Sequence, residues 1–126
     1  MEFALILPIF AVMVFGLIDV GRMVYVNNAA AEGAREGSRY GSVAARSNTA
    51  SSRDQVRTWT LGSMSAVPSA TVTVTCQRDA SVATTCRSGD LLVVRVDSVV
   101  QPITPVVGQL VGTLNLSAES RVRVLQ

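Results

Sequence analysis

Residues Phe3–Ile18 read FALILPIFAVMVFGLI, sixteen positions without a charge. As a helix rising 1.5 Å per residue the run spans roughly 24 Å, short of a hydrocarbon core about 30 Å thick. Apolar character resumes past Asp19 and Arg22 with Met23-Val24-Tyr25-Val26, so Phe3–Val26 taken together reaches across a bilayer. Asp19 and Arg22 stand three apart, a spacing that lets them pair on one helix face near an interface. A cleaved secretory signal needs a basic start and a small-residue cut site. This run instead starts with the acid Glu2 and passes into more helix. A carboxylate there is costly in hydrocarbon unless a positive group meets it. A neighbouring copy's amino terminus or helix-terminal donor supplies one; alternatively Glu2 sits among the headgroups. Pro8 and Gly16 inside the run predict a kink or local unwinding.

The helix continues through NNAAAEGAREGSRYGSVAAR at 27–46. Ala29, Gly33, Gly37, Gly41 and Ala45 recur every four residues, with Ala30, Ala34, Ser38 and Ser42 beside them. Interior glycines each cost about 0.8–1 kcal/mol relative to Ala. Close helix–helix approach through the small residues offsets that cost, and a second copy is the expected partner. The alternative is a glycine-weakened helix in solvent. Glu32 and Glu36 lie three before Arg35 and Arg39 and predict ion pairs along the helix.

Beyond a polar break at Ser47-Asn48-Thr49-Ala50 the pattern predicts a second helix over about 51–67. Ser52 and Gln55 have capping-box spacing with Asp54 in the first turn, and Val56, Trp59/Thr60, Ser63/Met64 and Val67 keep helical period. Trp59 reads as a core anchor rather than a ligand platform, and Pro68 ends the element. Period two then takes over, with strands expected at about 70–77, 91–100 and 113–125. Val72, Val74 and Cys76 share one face, as do Leu92, Val94 and Val96, opposite Arg95 and Asp97. In the last strand Leu114, Leu116, Ala118, Val122 and Val124 alternate with Asn115, Ser117, Glu119, Arg121 and Arg123. A polar loop closed by Ser88-Gly89-Asp90 joins the first two strands, and Pro102, Pro105 and an apolar connection at 106–111 lead to the third. A small antiparallel sheet with one apolar face needs a cover, which the second helix or the upper part of the first provides. The fold class is α+β, divided into a long helix at 1–48 and a small globular domain at 49–126.

Composition narrows the chemistry. The 126 residues are 48 % hydrophobic and 16 % charged, with mean hydropathy +0.37, too apolar for a disordered chain. The sequence has no His, and all eleven basic residues are Arg. That removes His-based nucleophile pairs, His-ligated zinc, Schiff-base lysines and the P-loop lysine. The net charge of +2 is evenly spread, so nucleic acid is not an expected partner. No metal or cofactor site is expected, and the remaining enzymatic possibility rests on loop carboxylates such as Asp79 and Asp90. Cys76 and Cys86 are too few for a zinc or redox centre. If the membrane segment places the domain outside the cytoplasm they pair, contributing roughly 2–3 kcal/mol for a loop of this size.

The stretches Glu2-Phe3-Ala4-Leu5-Ile6-Leu7-Pro8, Phe15-Gly16-Leu17-Ile18-Asp19-Val20-Gly21-Arg22 and Ala34-Arg35-Glu36-Gly37-Ser38-Arg39 resemble those of TadE-like pilins. These are minor pilins or pseudopilins of tight-adherence (Tad) pili, within the type IV filament superfamily. The likeness returns in Val100-Gln101-Pro102-Ile103-Thr104-Pro105 and the strand after it. The resemblance implies a prepilin whose short basic leader is cut by a prepilin peptidase. It implies an inner-membrane stage with the globular part outside, then entry into an extracellular filament built on platform proteins. The filament core is the bundled amino-terminal helices. In the family the glutamate stands fifth after the cut and meets a neighbour's amino terminus. Here it is second, so either a few mature residues precede Met1 or processing differs. The expected function is a structural, non-enzymatic pilus subunit supporting surface adhesion. Its assembly residues are Glu2, Phe3, Pro8, Gly16, Asp19, Arg22, Ala29, Gly33, Gly37 and Gly41. The alternative is a monomeric, membrane-anchored extracytoplasmic binding module.

Overall fold

A computed structural model of the chain describes residues 2–44, 50–64, 67, 69–83, 85–104, 108–109 and 112–125. Two helices, α1 (Glu2–Ala44) and α2 (Ala50–Ser63), precede four strands: β1 (Thr71–Arg78), β2 (Ser81–Ala83), β3 (Leu91–Val100) and β4 (Leu114–Arg123). The sheet is antiparallel with order β2-β1-β3-β4. The α+β class therefore holds, with one strand more than the alternation predicts. The expected helix end at 45–48, the break at 47–49, Pro68, Pro105 and most of the 106–111 connection lie outside the described residues.

The helices form one layer over the sheet, α1 across β3 and β4 and α2 beside β1. The core comprises Val26, Ala30 and Ala34 from α1, Val56 from α2, Met64 just after it, and Val72, Cys76, Leu92, Val94 and Val96 from the sheet. The strand faces follow the sequence alternation, with Leu92, Val94 and Val96 buried and Arg95 exposed. Helix α1 is continuous through Pro8 and Gly16, so the expected unwinding does not occur. Pro8 stands close to the helix start, where its missing N–H costs one hydrogen bond and leaves the turns after it intact.

The small-residue stripe is used within the chain. A Cβ at Gly33 would overlap the Met64 side chain, one at Gly37 the Thr60 hydroxyl, and one at Gly41 a Leu92 methyl. At Gly41 it would also come within 3.3 Å of both Val56 methyls. Gly33, Gly37 and Gly41 thus step by four along α1 as Met64, at the end of α2, and Thr60 and Val56 within it step by four back. Two i,i+4 rows interlock in an antiparallel helix pair. The partner of the stripe is α2 and the sheet of the same chain, which corrects the expectation of a second copy there. On the sheet side, the Ser38 and Ser120 hydroxyls are 2.8 Å apart, and the Leu125 N–H donates to the Ser42 carbonyl at 3.1 Å.

Helix α2 begins at Ala50, so Ser52 is its third residue and not its cap; Ser52 is buried in the row that continues with Val56 and Thr60. The Thr60 hydroxyl donates to the Val56 carbonyl at 2.7 Å, which fixes its rotamer against Gly37. Trp59 lies one position off that row. It is 50 % exposed and stacks on Tyr40, with centroids 4.8 Å apart and planes 10° apart. It is a surface aromatic, not a core anchor.

The strand missing from the sequence pattern is β2. Arg78 pairs with Ser81 across a two-residue turn in which Asp79 and Ala80 have φ of 48° and 66°. Two positive φ values in a two-residue loop match the right-handed strand twist. Cys76 and Cys86 form a disulfide with Cα atoms 5.5 Å apart, tying this hairpin to the approach to β3. Asp90 closes the same loop. It accepts from Arg78 Nε at 2.8 Å and from the Arg87 N–H at 2.8 Å, and its second oxygen also takes a terminal Arg78 nitrogen. The Arg78 hydrogen bonds hold the Asp90 carboxyl below its ordinary value, and the Arg87 N–H adds to this against the effect of burial. Asp90 is thus a structural carboxylate.

Two outcomes follow for stability. Gly37→Ala and Gly41→Ala each cost about 1–3 kcal/mol in denaturant unfolding of the detergent-solubilised chain. Gly33→Ala costs less, because Met64 is a flexible neighbour. Because the folded Asp90 value lies below the unfolded one, its contribution is complete above the unfolded carboxylate value of about 4 and is lost as pH falls through the lowered value. The thermal midpoint therefore drops on acidification below pH of about 4, and Asp90→Asn flattens that part of the profile.

Candidate functional site

From Phe3 to Ile18 every described side chain but Ala11 and Gly16 is exposed, and the exposure runs round the whole helix: Phe3 87 %, Phe15 55 %, Val12 42 % and Ile9 64 %. These four fall on different sides of a helix at 100° per residue. Nothing in the described chain covers the segment. The helix is long and apolar enough to cross a membrane, with mean hydropathy 1.9 in an 18-residue window of which 11 % is buried. A soluble monomer rarely exposes an apolar surface of this extent, so it is a contact surface for lipid or other chains.

Coverage begins at Asp19. Its carboxylate is buried and accepts the Ile103 and Thr104 backbone N–H groups, each at 3.0 Å, on its two oxygens. Three residues later Arg22 donates to the Gln101 carbonyl at 3.3 Å. Asp19 and Arg22 therefore do not pair with each other as their spacing suggested; both hold the segment 101–104. From there Met23, Val26, Ala30, Ala34, Ser38 and Ser42 continue a one-sided buried stripe up the helix. The free half and the half built into the domain meet at this carboxylate.

The expected assembly residues thus divide. Phe3 and Pro8 are exposed on the free half and Gly16 is half-buried, with open space around its Cα. Asp19 and Arg22 form the seam. Ala29 packs on the core, and Gly33, Gly37 and Gly41 are buried in it. Glu2 starts α1, but its side chain lies outside the described residues. Of the predicted ion pairs, Glu36–Arg39 forms at 3.0 Å, while Glu32–Arg35 does not form among the described residues. The Arg39 hydrogen bond lowers the Glu36 value.

Ile103 and Thr104 belong to the site although their role is not visible in their own positions. The available signal was an acid in an apolar helix together with a Pro-flanked segment whose N–H groups have no strand partner. Asp79 stands in the hairpin turn and Asp90 is tied to Arg78, so the two acids considered for catalysis are turn and loop elements. No group of three or more potential metal ligands occurs among the described residues.

Residues 1–39 match the family model described as TadE-like protein. No curated protein and no solved structure matches the chain. The match spans the free half, the seam and the first two glycines of the stripe.

The seam makes a direct prediction. Asp19→Asn replaces one acceptor by a donor facing an N–H, so amide hydrogen exchange at Ile103 or Thr104 accelerates roughly tenfold or more, while exchange in β3 is unchanged.

Proposed function

We propose that this chain is a non-enzymatic structural subunit of an extracellular Tad-type pilus. Its helix inserts in the inner membrane and is then built into a filament that supports surface adhesion. The TadE-like amino-terminal segment supports a membrane-anchored protein related to Tad pili. The observation that carries the finer proposal is the free half of α1, apolar on every face and uncovered by its own domain.

Such a surface has two stable environments, lipid and other apolar helices. Exchanging one for the other involves no exposure of apolar area to water, so a subunit passes from bilayer to filament core without crossing a large hydrophobic barrier. The sixteen uncharged residues span roughly 24 Å, which places the Asp19 seam close to the membrane surface. Exposed Val20, Val24, Tyr25 and Ile103 then form an interfacial collar around it. Because Gly33, Gly37 and Gly41 are occupied inside the chain, contacts between subunits fall to the free half and to the outer faces of the domain. The division into a filament-core helix at 1–48 and a globular domain at 49–126 is part of the proposal, with the upper helix contributing to both. A separate assembly ATPase supplies the energy, and prepilin peptidase and platform proteins act before and during assembly.

Expressed with a Tad assembly apparatus, the chain should appear in sheared extracellular filaments by immuno-electron microscopy; without the apparatus it should stay with the inner membrane. Glu2→Leu should leave insertion intact and cut filament incorporation more than tenfold, by removing the group offered to a neighbour's amino terminus. A chain that remains monomeric in the membrane beside a working apparatus would be an anchored binding module instead. Normal filaments from the Glu2→Leu variant would remove the role given to that carboxylate.

A further inference from the structure

The outer side of the helix layer carries an open groove of about 850 Å³ whose lining includes Glu36, Tyr40, Asp54, Thr58 and Trp59. Its floor is the Tyr40–Trp59 stack, and its charged groups are the two carboxylates. Glu36 is paired with Arg39, whereas Asp54 has no ion pair among the described residues. Half-exposed stacked aromatics between carboxylates suit a guanidinium, which lies flat on a ring while its N–H groups reach the acids.

The opposite side of the domain presents such groups. On the outer face of the sheet Arg95, Arg121 and Arg123 are exposed. Arg95 pairs with Asp97 and Arg121 with Glu119, while Arg123 has no ion pair among the described residues. The two faces also share one height along α1. Ser38 bonds Ser120 and the Ser42 carbonyl accepts from Leu125, so residues 120–125 lie level with the turns that carry Tyr40. Copies standing side by side with parallel helices in one membrane would bring the arginine face of one to the aromatic groove of the next.

We propose that this groove is the docking site for a second copy, with Arg123 of that copy stacking on the face of Trp59 turned away from Tyr40 and reaching Asp54. The contact rests on the self-assembly proposed above and specifies its lateral surface. It joins two different faces, so each copy keeps one of each unused. It therefore does not close as a two-fold dimer, and it builds a ring or an open array according to the rotation between neighbours.

Trp59 is the only tryptophan in the chain, which makes its emission a direct reporter. The full chain in detergent, followed by sedimentation and fluorescence across a concentration series, should show oligomers forming together with a blue shift of Trp59. Arg123→Glu should weaken association about tenfold and reduce the shift to match. Its monomer should keep wild-type emission, showing the fold intact, and adding Asp54→Arg should restore association. If oligomers form with Trp59 emission unchanged and Arg123→Glu associates like wild type, the groove contact is wrong while self-assembly stands. If the wild-type chain never associates, both fall. A blue shift that follows added lipid while the chain stays monomeric would make the groove a lipid contact and would also overturn the proposal.

Discussion

The approach of α1 to α2 and the sheet at Gly37 and Gly41 sets the geometry of the whole subunit. A helix buries little apolar area through glycine itself, and each interior glycine costs about 0.8–1 kcal/mol relative to Ala. What it allows is contact between the helix backbone and the fully buried Val56, Thr60 and Leu92. Among the described residues the domain has no other layer over the apolar face of β3 and β4. It depends on the upper half of α1, and the domain is therefore fixed rigidly to the segment that leaves it. Any force or displacement applied to the free half passes to the sheet through this contact.

Asp19 marks where the helix changes surroundings. Below it the surface is apolar all round; above it one side is packed and the other carries Glu32, Arg35, Glu36 and Arg39. A buried carboxylate at such a boundary is stable only with its hydrogen bonds made. The donors come from Ile103 and Thr104, just past the end of β3. The seam thus binds a late segment of the chain to its first helix across more than eighty residues, and it keeps the domain from sliding or tilting along the helix.

Local pattern showed much of this and left out its partners. The β3 and β4 faces were legible because one-face burial imposes strict alternation, and Leu92, Val94 and Val96 obey it. β2 was not, since three residues hold no alternation and its turn is Asp-Ala where Asp-Gly would have been recognised. The stripe at Gly33, Gly37 and Gly41 was correctly located as a close-packed face. A fourfold spacing reports that something approaches, not whether it belongs to the same chain. Asp19 and Arg22 looked like a local pair for the same reason: sequence spacing shows neighbours on a helix but not a segment eighty-odd positions later. Trp59 sits one position off the buried row that Thr60 occupies, because a helical period of 3.6 does not separate adjacent residues at the edge of such a row.

The absence of Lys and His fits this architecture. The arginines that pair do so with nearby acids, at Glu36–Arg39, Arg78–Asp90, Arg95–Asp97 and Glu119–Arg121. A planar guanidinium can hold a carboxylate through two parallel bonds and still present its face to a ring. An ammonium group cannot do both. A sheet face carrying such groups, opposite a helix face carrying stacked aromatics and acids, has two unlike and complementary sides. If the free apolar helix holds copies in the same orientation, as proposed, contacts between the two sides add along one direction. On the assembly proposed above, the domain's charge distribution and the helix's apolar surface serve one outcome, growth by repetition of one parallel neighbour contact.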